Sequence, residues 1–148
     1  MSKSEKETEN IAFDFAKEKK IKFGDIVALY GDLGAGKTAF TRGLVKFFSQ
    51  SPRVASPTFS LVNEYKIVGD GAHDVPKNGK ILHFDMYRIN SYVDLLSVGF
   101  YDYLDGEKLI IIEWFDKIAG FFDENTINIQ IVKLNGDERK IIFERLGD

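Results

Sequence analysis

Between Glu7 and Lys20 the chain alternates charged residues with Ile11, Phe13, Phe15 and Ala16. Several of these apolar positions share one side of a 3.6-residue period, so the spacing predicts a short amphipathic helix. Ile21, Phe23 and Gly24 lead into IVALY at 26–30, a run with no polar interruption. Such a run predicts a strand buried on both faces and central in its sheet. A helix is expected from about Gly36 to Ser49, with Phe40, Leu44, Phe47 and Phe48 inward.

The pattern then breaks at SQSPRVASP, 49–57, through two prolines. TFSLVNEYKIV at 58–68 alternates as a strand does, with Phe59, Leu61, Asn63, Tyr65 and Ile67 toward one side. GDGAHDVPKNGK at 69–80 holds turn residues without periodicity and reads as a loop. ILHFDMYRI at 81–89 predicts a second clear strand, and Ser91 is placed to cap a helix containing Val93, Leu95 and Leu96. KLIIIEW at 108–114 predicts a third, followed by the short segment FDKIAGFF. NTINIQIVKL at 125–134 and ERKIIFERL at 138–146 read as an antiparallel pair turning at Asn135-Gly136-Asp137. Neither an internal repeat nor a linker divides the chain, so residues 1–148 are expected to form one domain.

Composition narrows the function classes. A net charge of −3 argues against a broad basic face for nucleic acid. The absence of cysteine excludes disulfides and thiolate metal sites, and two histidines are too few for a His-rich one. No apolar run approaches the ~18 residues of a membrane span, and MSKSEKETEN lacks the apolar core of a signal peptide, so a cytoplasmic protein is expected. The 13 phenylalanines make for an aromatic core. Those of Phe100–Tyr103, with their tyrosines, are candidates for a partner surface, against core packing as the ordinary use of aromatics.

The candidate chemistry begins at GDLGAGKT, 31–38, which fits G-x-x-x-x-G-K-[ST] between an expected strand and an expected helix. Gly31, Gly34 and Gly36 allow positive φ and a close approach of backbone to oxygen. Successive N–H groups then form an anion nest, to which the helix N-terminus adds roughly half a positive charge. Lys37 supplies a point charge for β- and γ-phosphates, and the Thr38 hydroxyl suits Mg²⁺. The same glycines in a turn that binds nothing are the bland alternative.

Hydrolysis also needs a carboxylate at a strand C-terminus beside this loop. Glu113 ends the apolar run LIIIE, and Asp85 lies near the end of ILHFDMY. Period two puts His83, Asp85 and Tyr87 on one face and Leu82, Phe84 and Met86 on the other. Strand-end acids also serve as helix caps. His83 reads as a satisfied structural histidine rather than a base. Trp114, the only tryptophan, is expected to flank the site. Arg88 suits either a γ-phosphate or a salt bridge.

With these residues in view, SPTFSLVNEY at 56–65, HFDMYR at 83–88 and EW at 113–114, after GDLGAGKT, resemble the small P-loop ATPase of tRNA threonylcarbamoyladenosine biosynthesis, the TsaE type. ETENIAFDFA at 7–16 and Arg139 resemble that family's ends, so the likeness spans nearly the whole chain. The resemblance implies an α/β fold: a three-layer P-loop core whose mixed sheet is partly antiparallel at its C-terminal side. It implies ATP as nucleotide, bound by Asp32, Leu33, Gly34, Ala35, Gly36, Lys37 and Thr38. Thr38 and Glu113 would hold Mg²⁺, and Asp85 would act at the γ-phosphate through water or metal. Asp85, Glu113 and Lys37 are then the expected catalytic residues. The Ser56–Tyr65 stretch would behave as a switch loop with Thr58 near the γ-phosphate, Thr8 would lie near the adenine, and Arg139 would contact the nucleotide.

The resemblance also implies two partners, a metal-dependent threonylcarbamoyl transferase and its inactive-homologue subunit. ATP hydrolysis would support their turnover on adenosine 37 of tRNA, with tRNA met only through that complex and this chain monomeric when free. Two features depart from the family. Ala39 stands where a further hydroxyl residue usually contacts the α-phosphate, and the loop Gly69–Lys80 is long and polar. The rivals are a small-molecule kinase, which lacks an arginine-rich lid here, a GTPase-like switch, which lacks N-K-x-D, and a nucleotide-binding interaction module without hydrolysis, which Ala39 favours.

Overall fold

The computed structural model describes the chain except for residues 19–20, 33, 50–61, 67–79, 87–88, 90, 98, 105, 114–125 and 146–148. Six strands form one sheet: β1 Ile26–Tyr30, β2 Val62–Lys66, β3 Lys80–Asp85, β4 Leu109–Glu113, β5 Ile127–Lys133 and β6 Arg139–Arg145. Their order across the sheet is β2-β3-β4-β1-β5-β6. The four inner strands run parallel, and β2 and β6 pair antiparallel with β3 and β5. The mixed α/β architecture is the one expected, with one addition. Besides the antiparallel pair at the C-terminal end, the opposite edge is antiparallel too.

Helices α1 Glu5–Lys17 and α2 Lys37–Ser49 cover one face of the sheet. Helix α3 Tyr92–Ser97 and a short 3₁₀ helix, Phe100–Tyr103, cover the other. Period two distributes the buried strands between these layers. Val27, Leu29, Ile81, Leu109 and Ile111 pack beneath α1 and α2 with Phe40, Leu44 and Phe48. Ala28, Leu82, Phe84, Ile110 and Ile112 pack beneath α3 with Leu95 and Phe100. β1 is central, as its uninterrupted apolar run requires. Phe100 is fully buried against Phe84, ring centroids 4.9 Å apart, so core packing is its use.

Local differences from the sequence pattern have local causes. Helix α1 starts at Glu5 because Ser4 caps it, its Oγ accepting from the Glu7 N–H at 3.0 Å. Its contact with α2 includes the small Ala12 against Gly43 and the edge-on Phe13–Phe47 pair, ring centroids 5.4 Å apart. Gly43 of α2 permits this approach, since a Cβ there would run into the Glu9 carbonyl and the Ala12 side chain. Ser91 caps α3 as expected, but only Leu95 of its apolar trio is buried; Val93 is 71% and Leu96 48% exposed. β3 ends at Asp85, although the Met86 N–H still bonds the Glu113 carbonyl at 3.1 Å; the Met86 carbonyl accepts from the Ile89 N–H at 3.1 Å.

Register positions the site. Leu29 and Asp85 both lie opposite Glu113 across neighbouring parallel strands. The loop leaving β1 and the acids ending β3 and β4 therefore meet at one end of the sheet, the carboxyl end where ligands of open α/β sheets sit.

Candidate functional site

The loop from Gly31 to Gly36 joins β1 to the first turn of α2. Gly31, Gly34 and Gly36 hold φ of 153°, 80° and 112°, the conformations expected of them. The Ala35 N–H closes a turn onto the Asp32 carbonyl at 3.0 Å. Helix α2 opens at Lys37, so its first N–H groups and its dipole face this loop. The Lys37 ammonium is buried and donates to the carbonyls of Gly31 at 2.5 Å and Asp32 at 3.1 Å. It thus spans the mouth of the loop it follows.

Thr38 faces β4. Its hydroxyl donates to Glu113 Oε1 at 3.4 Å. Glu113 is 2% exposed, and a carboxylate so buried requires polar company to remain charged. On its other oxygen it has His83, whose Nε2 lies 3.2 Å from Oε2. The contact is within ion-pair range but does not satisfy hydrogen-bond geometry. His83 Nδ1 in turn lies 3.4 Å from the Tyr65 hydroxyl. Asp85 is partly exposed beside Glu113 in the register of β3 and β4.

Arg139, at the start of β6, reaches the loop from the opposite side. Its Nε donates to the Ala35 carbonyl at 2.8 Å and its Nη1 to the Asp137 carbonyl at 2.6 Å. Its backbone pairs both ways with Ser2, and the Ser2 hydroxyl bonds that of Thr8 at 2.7 Å. Thr8 is fully buried and also donates to the Ser4 carbonyl. A chain of contacts therefore runs from the first turn of α1 through the N-terminal residues to the loop. Gly36 is needed where it stands, because a Cβ would lie 3.1 Å from Arg139 Nε on a backbone of positive φ.

Of the expected site residues, Asp32, Gly34, Ala35, Gly36, Lys37, Thr38, Asp85 and Glu113 gather at one end of the sheet, and Arg139 joins them through Ala35. Thr8 connects indirectly through Ser2. Leu33, Thr58, Arg88 and Trp114 lie outside the described residues. Two participants were not anticipated. Ser2 carries no sequence signal beyond its polarity. Tyr65 was legible as one position of an alternating strand and as the last residue of the expected switch loop Ser56–Tyr65, without a role at Glu113. The paired hydroxyl and carboxylate of Thr38 and Glu113 are hard oxygen donors suited to Mg²⁺, which accepts few protein ligands and completes its shell with phosphates and water. Among the described residues no three His, Cys, Asp or Glu side chains form a metal-holding group.

Residues 2–141 match the family model described as threonylcarbamoyl adenosine biosynthesis protein TsaE. The tRNA threonylcarbamoyladenosine biosynthesis protein TsaE of Rickettsia typhi is 40% identical over 137 residues, covering 92% of this chain and 87% of that protein. The protein of the same name from Bacillus subtilis is 34% identical over 125 residues, covering 84% and 72%. The crystal structure of Bacillus subtilis YdiB superposes with a TM-score of 0.71 at 29% identity, over 99% of this chain and 83% of that one.

Proposed function

Since the chain belongs to the TsaE family of threonylcarbamoyl adenosine biosynthesis proteins, we propose that it hydrolyses Mg·ATP to sustain turnover of the enzyme complex that places threonylcarbamoyl on adenosine 37 of tRNA. The observation that carries this reading is the meeting of Thr38 with Glu113 at the mouth of the glycine loop. A phosphate nest alone holds a nucleotide. A hydroxyl and a buried carboxylate poised together beside it can also hold the cation that hydrolysis requires.

In this proposal the loop N–H groups and the N-terminus of α2 receive the phosphate chain. The Lys37 ammonium exchanges the carbonyls of Gly31 and Asp32 for β- and γ-phosphate oxygens, a short move for a flexible side chain. Thr38 and Glu113 would hold Mg²⁺, which would supply neutralisation of the charge that develops on the phosphates. Asp85, adjacent to Glu113 and partly open to solvent, orients the attacking water at the γ-phosphorus. Arg139 fixes the Ala35 peptide, so the nest keeps its shape. The expected partners are the threonylcarbamoyl transferase and its inactive-homologue subunit, which carry out the chemistry on the base.

The test is reconstitution at limiting transferase. The modified adenosine should accumulate beyond one turnover only when this chain and ATP are present. ATP hydrolysis should be slow for the chain alone and faster beside the complex. Lys37→Ala and Glu113→Ala should each abolish it. Full hydrolysis in both variants overturns the assignment of these residues.

A further inference from the structure

The sheet carries a diagonal row of polar groups across three neighbouring strands. Tyr65 on β2, His83 on β3 and Glu113 on β4 all lie on the face beneath α2. The row ends at Thr38, which takes the other carboxylate oxygen of Glu113. His83 is wholly buried, and its Nε2 has no hydrogen-bond partner among the described residues while standing 3.2 Å from Glu113 Oε2. Buried polar groups are rarely left so, and each one that is calls for a physical reason.

We propose that His83, steadied by the Tyr65 hydroxyl, is the positioning residue for the Glu113 carboxylate. The inference rests on the reading of Glu113 as a cation-holding group. In this assignment the Tyr65 hydroxyl, 3.4 Å from Nδ1, is the donor, and the ring's proton stands on Nε2, facing Glu113. A slight turn of the carboxylate completes that bond. With Oε2 occupied by His83, Oε1 is presented to the Thr38 hydroxyl, and these are the two oxygens that would hold the cation. Partners of this kind around ligating carboxylates commonly govern metal affinity by about 10- to 100-fold. The row also ties β2, the strand that follows residues 50–61, to the acid at the heart of the site.

The experiment measures Mn²⁺ affinity by paramagnetic resonance, on the full chain saturated with a non-hydrolysable ATP analogue. Gln places an amide N–H near the Nε2 position, whereas Asn reaches only the Nδ1 position. His83→Asn should weaken Mn²⁺ binding by about tenfold or more, and His83→Gln should restore it to within about threefold of the parent. Tyr65→Phe, which removes one hydroxyl, should weaken it by about two- to fivefold. Equal loss in His83→Asn and His83→Gln, or loss in neither, overturns the proposal. If His83→Asn does not fold, an unchanged affinity in Tyr65→Phe overturns it. Glu113→Gln separates the two levels. Undiminished Mn²⁺ binding there refutes the cation site itself, and the positioning role with it. Weakened binding there, with His83→Asn and His83→Gln both unaffected, refutes the positioning role alone.

Discussion

Lys37 and Arg139 are both buried cations that bond carbonyls of the same loop, yet they do different work. The Lys37 ammonium is a point charge on a flexible stem, and both of its carbonyl partners sit within reach of a phosphate's place. Charge-assisted hydrogen bonds of this sort contribute roughly 1.5–3 kcal/mol. Lys37→Ala should therefore weaken ATP binding by about 10- to 100-fold by titration calorimetry, and lower the stability of the free protein by about 1–3 kcal/mol as the Gly31 and Asp32 carbonyls lose their donor. Arg139 instead uses the fixed geometry of its guanidinium to bond two carbonyls, of Ala35 and Asp137, at once. Lysine lacks that geometry. Arg139→Lys should cost about 1–2 kcal/mol in denaturant unfolding. It should also raise the dissociation constant for ATP by several-fold, because the Ala35 peptide is freed. An Arg139→Lys variant as stable and as tight as the parent would show that the clamp is idle.

At the scale of elements, the contact between α1 and α2 is set by what is missing from it. Gly43 lies against the Glu9 carbonyl and Ala12, and the Arg42–Glu9 ion pair at 3.2 Å spans the same seam. Gly43→Val should force the helices apart and cost about 1–3 kcal/mol in chemical unfolding, the usual toll of overpacking. Ser4→Ala, which removes only the N-cap, should cost about 1 kcal/mol. The same seam explains what the sequence pattern showed and what it hid. β1 and β4 were legible because burial on both faces writes an unbroken apolar run. The loop and Glu113 were legible because a phosphate nest and a strand-end acid constrain residue type at fixed spacing. The face of α1 was less so, because close helix packing selects small residues, and Ala12 does not stand out beside Phe13 and Phe15. Val93 and Leu96 do lie in the expected helix, but its six residues touch the sheet at Leu95 and leave those two in solvent. The antiparallel edge strand β2 was foreseen as a strand but not in its direction, which alternation alone does not encode.

Across the whole molecule, the site is a product of register rather than of any one segment. Tyr65, His83 and Glu113 come from three strands, Thr38 from a helix and Arg139 from the far edge of the sheet. No local pattern announces that they meet, although their types were each visible. A ligand that touches several of these elements at once should brace the entire fold. Binding to the native state alone stabilises by RT ln(1 + [L]/Kd), about 2.7 kcal/mol at a hundredfold excess over Kd. For a domain of this size that corresponds to roughly 5–10 °C in melting temperature. Mg·ATP at a hundredfold excess should therefore raise Tm by about that amount, ATP with chelator by less, and both rises should be smaller in Lys37→Ala at the same ligand concentration. Glu113→Ala should separate the two contributions. The part due to the phosphate nest should survive, while the increment that Mg²⁺ adds should vanish. A scan in which Mg²⁺ adds the same increment with and without the Glu113 carboxylate would place the cation elsewhere and remove the basis for hydrolysis at this site.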